Sequence, residues 1–119
     1  MRLYELDIVP SEVKQVIRLS KKDNNQPIGF VLKDGGEYYD PSSEYTEYVI
    51  ELSDIVTSSL TLSNDPAGRY KYLQIASEGT LTAAAGKFLA TIRLRQSDYE
   101  EGDPQIRIPL FLEIEEEPQ

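Results

Sequence analysis

The chain of 119 residues contains no cysteine, no histidine and no tryptophan. Without cysteine it has neither a disulfide framework nor a thiolate zinc site, which suits a protein made in a reducing cytoplasm. Without histidine it lacks the commonest general base and the usual neutral metal ligand. We therefore predict a protein that is not an enzyme and has no cofactor. A small hydrolase that uses only acidic residues is kept as a third hypothesis.

Positive charge is also scarce, with 12 Lys and Arg against 21 Asp and Glu and a formal net charge of -9. Because affinity for phosphate comes mainly from Lys and Arg, this balance argues against nucleic acid and against anionic membrane surfaces. No stretch approaches the roughly 20 apolar residues of a membrane span. The charged residues of the first segment also argue against a signal peptide. We expect no nucleic-acid partner and no membrane partner.

Two long alternating runs in the last third of the chain indicate the fold class. Apolar residues occupy every second position between 88 and 94 and again between 106 and 114, and these are Phe88, Ala90, Ile92, Leu94, Ile106, Ile108, Leu110, Leu112 and Ile114. Successive side chains of a strand point to opposite faces of a sheet. A period of two held for this long therefore predicts half-buried strands.

The remaining strands are predicted from shorter runs of β-branched and aromatic residues between turn signals. They cover residues 2–9, 16–19, 27–33, 45–52, 60–62 and 70–75, with turns at 34–36 and 64–68. Residues 10–17 fit either a short helix or a strand, and we favour the strand; residues 53–56 suit one helical turn. The pattern predicts an all-β fold, an immunoglobulin-like antiparallel β-sandwich of about seven or eight strands. We expect one domain, 1–114, and an acidic tail, 115–119.

A tyrosine-rich stretch provides the candidate binding residues. The chain has 8 Tyr, 3 Phe and no Trp, so Tyr supplies most of its aromatic residues. Tyr38, Tyr39, Tyr45 and Tyr48 lie close together in the sequence. Tyr is favoured at protein interfaces because its ring buries area while its hydroxyl stays hydrogen-bonded. Tyr also fits half-buried strands anywhere, so the alternative is a purely structural role. We predict an interface at these four residues and at the strand edges, which can accept a neighbouring strand.

An acidic loop at residues 98–103 is the densest group of carboxylates. Calcium takes six to eight oxygen ligands, which a flexible acidic loop can partly supply. The spacing does not match the EF-hand pattern, so a hairpin loop kept soluble by charge is the alternative. The loop supports a second functional hypothesis, a carbohydrate-binding surface module assisted by calcium, although sugar platforms more often include tryptophan.

Two strings of the sequence match a known pattern. The first runs through residues 16–23 and 27–36 (VIRLSKKD and PIGFVLKDGG), and Tyr39-Asp40-Pro41-Ser42 follows it. The second is GRYKYL at 68–73, leading to AGKFLATIRL at 85–94. Together they resemble the N-terminal domain of the phage baseplate upper protein family of siphophages that infect Gram-positive bacteria. The similarity covers most of residues 16–114.

This resemblance implies an immunoglobulin-like fold and a structural role in a phage or prophage tail. The protein would bind other phage tail and baseplate proteins and link the baseplate core to receptor-binding proteins. It would also be a homo-oligomer, a trimer or a hexamer in the assembly, located in the virion tail after synthesis in the host bacterial cytoplasm. The family implies no catalytic residue at these positions.

Overall fold

The computed structural model describes residues 2–9, 15–20, 28–52, 56–75 and 86–115, which contain ten strands. The strands are β1 (Arg2–Asp7), β2 (Gln15–Ser20), β3 (Ile28–Asp34), β4 (Glu37–Tyr38), β5 (Glu47–Leu52), β6 (Val56–Ser59), β7 (Thr61–Asn64), β8 (Lys71–Ile75), β9 (Gly86–Arg95) and β10 (Ile106–Glu115). One short 3-10 helical turn, Pro41–Ser43, precedes β5. Within this described part of the chain, no helix is long and apolar enough to cross a bilayer.

The strands form two stacked sheets. Sheet A has the order β1-β3-β8-β7, with β4 also beside β3, and sheet B has the order β2-β10-β9-β5-β6. The prediction of an all-β sandwich is confirmed. The prediction of antiparallel pairing is wrong for two pairs, because β1 runs parallel to β3 and β2 runs parallel to β10. An alternating pattern determines which face a side chain occupies, but it carries no information about the direction of the neighbouring strand.

The core lies between the sheets and consists of the residues that alternate inward. On β9 and β10 the side chains of Ile92, Leu94, Ile108, Leu110 and Leu112 are fully buried. Burying an aliphatic side chain of this size stabilises the fold by about 1.5–3 kcal/mol. Sheet A contributes the inward face that the sequence predicts, namely Ile28, Phe30 and Leu32, each 1% exposed. Phe88 and Ile106, at the starts of the long strands, are partly buried against this core.

The turn between β3 and β4 follows the prediction. Asp34 pairs with Glu37, so the hairpin loop consists of Gly35 and Gly36 alone. Their φ angles are +61° and +87°. A two-residue loop with positive φ at both positions matches the twist of the flanking strands, and glycine adopts it without a steric penalty.

The two sheets are connected along both sides of the sandwich. On one side, the side chain of Gln15 on β2 bonds the backbone of Asp7 on β1, accepting from its N–H at 2.9 Å and donating to its C=O at 3.4 Å. On the other side, Leu60, 6% exposed, joins β6 of sheet B directly to β7 of sheet A. The single strand predicted around Leu60 is therefore two short strands in different sheets.

Several predictions concern residues outside the described ranges. These are the ambiguous segment before residue 15 and most of the helical turn at 53–56. The acidic tail was predicted to begin at residue 115, whereas Glu115 is the last residue of β10. Residues 116–119 lie outside the described part of the chain.

Candidate functional site

The four tyrosines predicted to form an interface do not share one exposed surface. Tyr38 is 51% exposed, but Tyr48 is only 9% exposed and belongs to the core. Tyr39 and Tyr45 are partly buried and pack against the same core. The prediction for Tyr48 is corrected because a ring inside the sandwich does not reach a partner. An interface at Tyr38, Tyr39 and Tyr45 stays a prediction.

The exposed tyrosine, Tyr38, belongs to a different aromatic cluster. The centroid of its ring lies 5.0 Å from that of Tyr70, and the Tyr70 centroid lies 6.5 Å from that of Tyr72. The hairpin at Gly35 and Gly36 carries Tyr38 back along β3, and β8 lies on the same side of β3. Sequence reasoning missed Tyr70 and Tyr72. A detectable signal existed in the string Arg69-Tyr70-Lys71-Tyr72, where tyrosines alternate with cations directly after a turn.

A groove of about 260 Å³ opens beside this cluster; it is lined by Tyr38, Tyr39, Asp40, Asn64, Gly68, Arg69, Tyr70 and Lys71. We call it the tyrosine groove. Two cations lie over the rings of this cluster. The Nζ atom of Lys33 lies 4.7 Å from the centroid of Tyr38, and the Cζ atom of Arg69 lies 5.8 Å from the centroid of Tyr70. Such cation–π contacts hold aromatic rings in place at a surface.

On one side of the groove, Asp40 holds Lys71. One carboxylate oxygen of Asp40 accepts hydrogen bonds from the backbone N–H of Ser42 at 2.9 Å and from its hydroxyl at 2.6 Å. The other oxygen lies 3.0 Å from Nζ of Lys71. These contacts, the Ser42 side-chain hydrogen bond first among them, lower the pKa of Asp40 below its usual value. Asp40 is therefore ionised and fixes the position of the Lys71 ammonium.

On the other side, Asp65 holds Arg69 in the turn between β7 and β8. The Nε atom of Arg69 donates to Oδ2 of Asp65 at 3.0 Å, and the Asp65 carbonyl accepts from the N–H of Gly68 at 2.8 Å. The hydrogen bond from Arg69 lowers the pKa of Asp65. The pKa of Tyr70 is raised, chiefly by burial and secondly by the charge of Asp65. This wall of the groove is thus a pre-formed turn closed by an ion pair.

A second surface lies on the outer face of sheet B. Phe111 of β10 pairs with Val16 on one side and with Leu89 on the other, so three apolar side chains form a row across three strands. Val16 is 46% exposed and Leu89 is 43% exposed. We call this the apolar row.

Charged residues border the apolar row. Two residues further along the same face, Arg18 of β2 pairs with Glu113 of β10, and the Nε atom of Arg18 lies 3.3 Å from the Oε2 atom of Glu113. Lys87 pairs with Glu113, and its Nζ atom lies 4.7 Å from the centroid of Phe111. Exposed apolar side chains with a polar rim are typical of protein–protein contact sites.

Comparison with solved structures finds the same fold in a phage protein. The N-terminal domain of phage TP901-1 ORF48 is similar over 96% of this chain and 97% of that chain, with a TM-score of 0.62 and 17% sequence identity. A cysteine protease inhibitor from Entamoeba histolytica, EhICP2, is similar over 96% of each chain, with a TM-score of 0.51 and 16% identity. No protein-family model and no curated protein sequence matches the chain.

At these identities the likeness concerns the fold alone. The likeness extends over nearly the whole of both neighbouring chains. Neither comparison assigns a role to the tyrosine groove or to the apolar row.

The acidic loop at residues 98–103 forms a tight turn. The backbone N–H of Glu100 donates to Oδ2 of Asp103 at 2.9 Å, and the N–H of Asp103 donates to the carbonyl of Glu100 at 3.0 Å. The Asp103 carboxylate therefore closes its own turn. Among the described residues, no group of three or more acidic side chains comes together in a way that could hold a metal ion. The geometry accordingly offers no support for calcium at this loop.

Proposed function

We propose that this protein is a non-enzymatic structural subunit of a phage or prophage tail that binds other tail proteins. The supporting observation is the end-to-end likeness to the N-terminal domain of a phage protein. The sequence resemblance to the baseplate upper protein family points in the same direction. In the finer form of this proposal, the subunit forms a trimer or hexamer and links the baseplate core to receptor-binding proteins.

The apolar row is the contact surface that we assign to this function, with another tail protein as its partner. Burial of Val16, Leu89 and Phe111 under a partner would remove apolar surface from water at about 25 cal/mol per Å². The charged residues that border the row would form the polar rim that such interfaces have. The long strands β9 and β10 make this part of sheet B a rigid platform, because each pairs on both sides.

The test of the contact surface compares two valines. Val16→Glu places a charge in the apolar row, and Val9→Glu places the same charge at a more exposed valine, 76% open to solvent, outside the row. We expect Val16→Glu to weaken binding to co-expressed tail proteins from neighbouring genes by at least tenfold, and Val9→Glu to leave it unchanged. Circular dichroism would show that both variants fold.

Two results would contradict the proposal at different levels. If Val16→Glu weakened binding no more than Val9→Glu does, the apolar row would be rejected as the contact surface, while the proposed tail function would remain. A gene located in a metabolic operon, with no tail-fibre, tape-measure or holin genes around it, would reject the tail function itself.

A further inference from the structure

We infer that the tyrosine groove binds a neutral saccharide, one pyranose-sized unit at a time. This inference is independent of the proposed tail function and uses a different surface of the molecule. The groove lies beside β4 and the start of β8 in sheet A, whereas the apolar row lies on sheet B.

The aromatic part of the groove suits a flat, partly apolar ligand. Tyr38 remains 51% exposed even though Lys33 and Tyr70 contact its ring. The aliphatic face of a pyranose ring presents C–H groups that stack on such a ring and cover apolar surface. In this inference Tyr38 takes the stacking role that tryptophan often has in sugar-binding platforms, and Tyr70 and Lys33 hold its ring in place.

The charges of the groove argue for a neutral ligand. Each of the three cations in or beside the groove already has a carboxylate partner, since Lys71 lies 3.0 Å from Asp40, Arg69 lies 3.0 Å from Asp65, and Lys33 lies 3.6 Å from Glu5. An anionic ligand would have to compete with these carboxylates for the cations, and a cationic ligand would have to compete with the cations for the carboxylates. A ligand with hydroxyl groups avoids both costs, because hydroxyls accept and donate hydrogen bonds without adding charge.

The polar rim supplies hydrogen-bonding groups of both kinds. Among the described residues, no hydrogen bond occupies the side-chain amide of Asn64, which offers two donors and an acceptor. Lys71 uses two of its three N–H groups, on Asp40 and Ser42, and the remaining one is available to a ligand. Arg69, whose side chain is 69% exposed, binds Asp65 through Nε and leaves its terminal nitrogens at the surface.

The size of the groove restricts the ligand to a single ring. Its volume of about 260 Å³ lies just below the range of about 300–1,000 Å³ for pockets that enclose drug-sized molecules. One sugar ring fills such a space, and a longer chain would continue into solvent at the open side. Affinity for a ligand this small is expected in the millimolar range.

The experiment is an NMR titration of the isotope-labelled protein. The neutral probes are the methyl glycosides of glucose, galactose, rhamnose and N-acetylglucosamine, each to about 20 mM, because weak single-ring ligands need concentrations above their Kd. Glucuronate and inorganic phosphate serve as anionic probes. We expect at least one neutral glycoside to shift the amide signals of Tyr38, Asn64 and residues 68–71, with a Kd in the millimolar range.

Four variants, one of them a distant control, test the assignment of the site. Tyr38→Ala and Asn64→Ala each remove an exposed side chain and should raise the Kd at least fivefold. Tyr38→Phe keeps the ring and should leave the Kd within twofold. Tyr99→Ala, at a tyrosine that contacts Arg93 and Arg95 on the other sheet, is the distant control and should also leave it within twofold.

Other outcomes would overturn the inference. These are no shift with any neutral glycoside, shifts with glucuronate or phosphate alone, or binding that Tyr38→Ala and Asn64→Ala leave unchanged. Loss of binding to tail proteins in the same variants, without any sugar response, would assign the groove to a protein partner instead. None of these results would affect the test at Val16, so the two proposals fail separately.

Discussion

The hydroxyl of Tyr48 donates a hydrogen bond of 2.8 Å to the backbone carbonyl of Tyr45, three residues earlier in the chain. Immunoglobulin-like sandwiches use a comparable bond, the tyrosine corner, to fix the entry of a strand into a sheet. In the described structure this hydrogen bond lies at the entry to β5. Tyr48 thus stabilises the approach to sheet B.

The Tyr48→Phe variant should lower the free energy of unfolding by about 1 kcal/mol, because it removes one partly buried hydrogen bond and keeps the ring. Urea unfolding followed by circular dichroism would measure the difference. Tyr38→Phe is the matched control, since that ring is exposed and should change stability by less than about 0.5 kcal/mol. Equal effects of the two substitutions would contradict a corner role for Tyr48.

Stability at high pH should depend on Tyr39. Burial, followed by the negative charge of Glu44, raises the pKa of Tyr39 from 10.0 to about 12. The hydroxyl donates to Oε2 of Glu44 at 3.4 Å. Between pH 10 and pH 12 the unfolded chain therefore binds fewer protons than the folded protein, and the free energy of unfolding falls as the pH rises through this window.

Urea unfolding at several pH values would measure this slope, with tyrosinate absorbance reporting the titration. Tyr39→Phe should make the curve flatter above pH 10, although burial also raises the pKa of Tyr48, so some slope will remain. An identical curve for the variant would show that Tyr39 is not the group responsible.

The outer face of sheet B contains an ion pair that should matter more than its neighbour. Arg93 donates to Oε1 of Glu51 at 2.6 Å and to Gln105 at 2.8 Å, and the Arg93 and Glu51 side chains are 15% and 23% exposed. The hydrogen bond to Glu51 raises the pKa of Arg93. Removing Glu51 would leave a guanidinium that is largely shielded from water without its carboxylate.

We expect Glu51→Ala to cost about 1.5–3 kcal/mol, the range for hydrogen bonds to charged groups. The control is Glu47→Ala, which breaks a pair with Arg95 at 2.5 Å, where Glu47 is 37% exposed. That change should cost less than Glu51→Ala, because Arg95 and Glu47, with side chains 21% and 37% exposed, keep more contact with water than Arg93 and Glu51 do. Thermal unfolding of both variants would decide the order, and a larger loss for Glu47→Ala would refute the argument from burial.

The hairpin glycines allow a purely conformational test. A Cβ at Gly35, where φ is +61°, would meet no atom within 4 Å, so any cost comes from the backbone alone. Gly35→Asn should be nearly neutral because asparagine tolerates this region, whereas Gly35→Val should cost about 1–2 kcal/mol. Comparable melting temperatures for the two variants would mean that the turn adopts another geometry in solution.

The inward faces of the long strands could be predicted because apolar residues occupy every second position, which is the period of a strand. The parallel direction of β1 relative to β3, and of β2 relative to β10, could not, because side chains alternate in the same way in parallel and antiparallel strands. The burial of Tyr48 was readable from its spacing to Ile50 and Leu52, two core residues at alternate positions. The prediction instead grouped Tyr48 with Tyr38, Tyr39 and Tyr45 because the four tyrosines lie close together in the sequence.

The tyrosine groove could not have been predicted in the same way. Tyr38 and Tyr70 are distant in sequence, and they meet because β4 and β8 lie on the same side of β3. A pattern confined to one strand does not contain such a contact. The apolar row is an intermediate case. Val16, Leu89 and Phe111 each occupy the polar-face position of an alternating run, and only the register brings them together.

The hydrogen bonds between Gln15 and Asp7, and the passage of the chain through Leu60, have a consequence for how copies of this molecule add to one another. Sideways growth of a sheet requires a straight border with open backbone groups. Here one border is cross-linked by a side chain, and the other is divided into strands of four residues that belong to different layers. Lateral fibre formation is therefore disfavoured, and copies of the molecule would have to meet through the faces of their sheets instead.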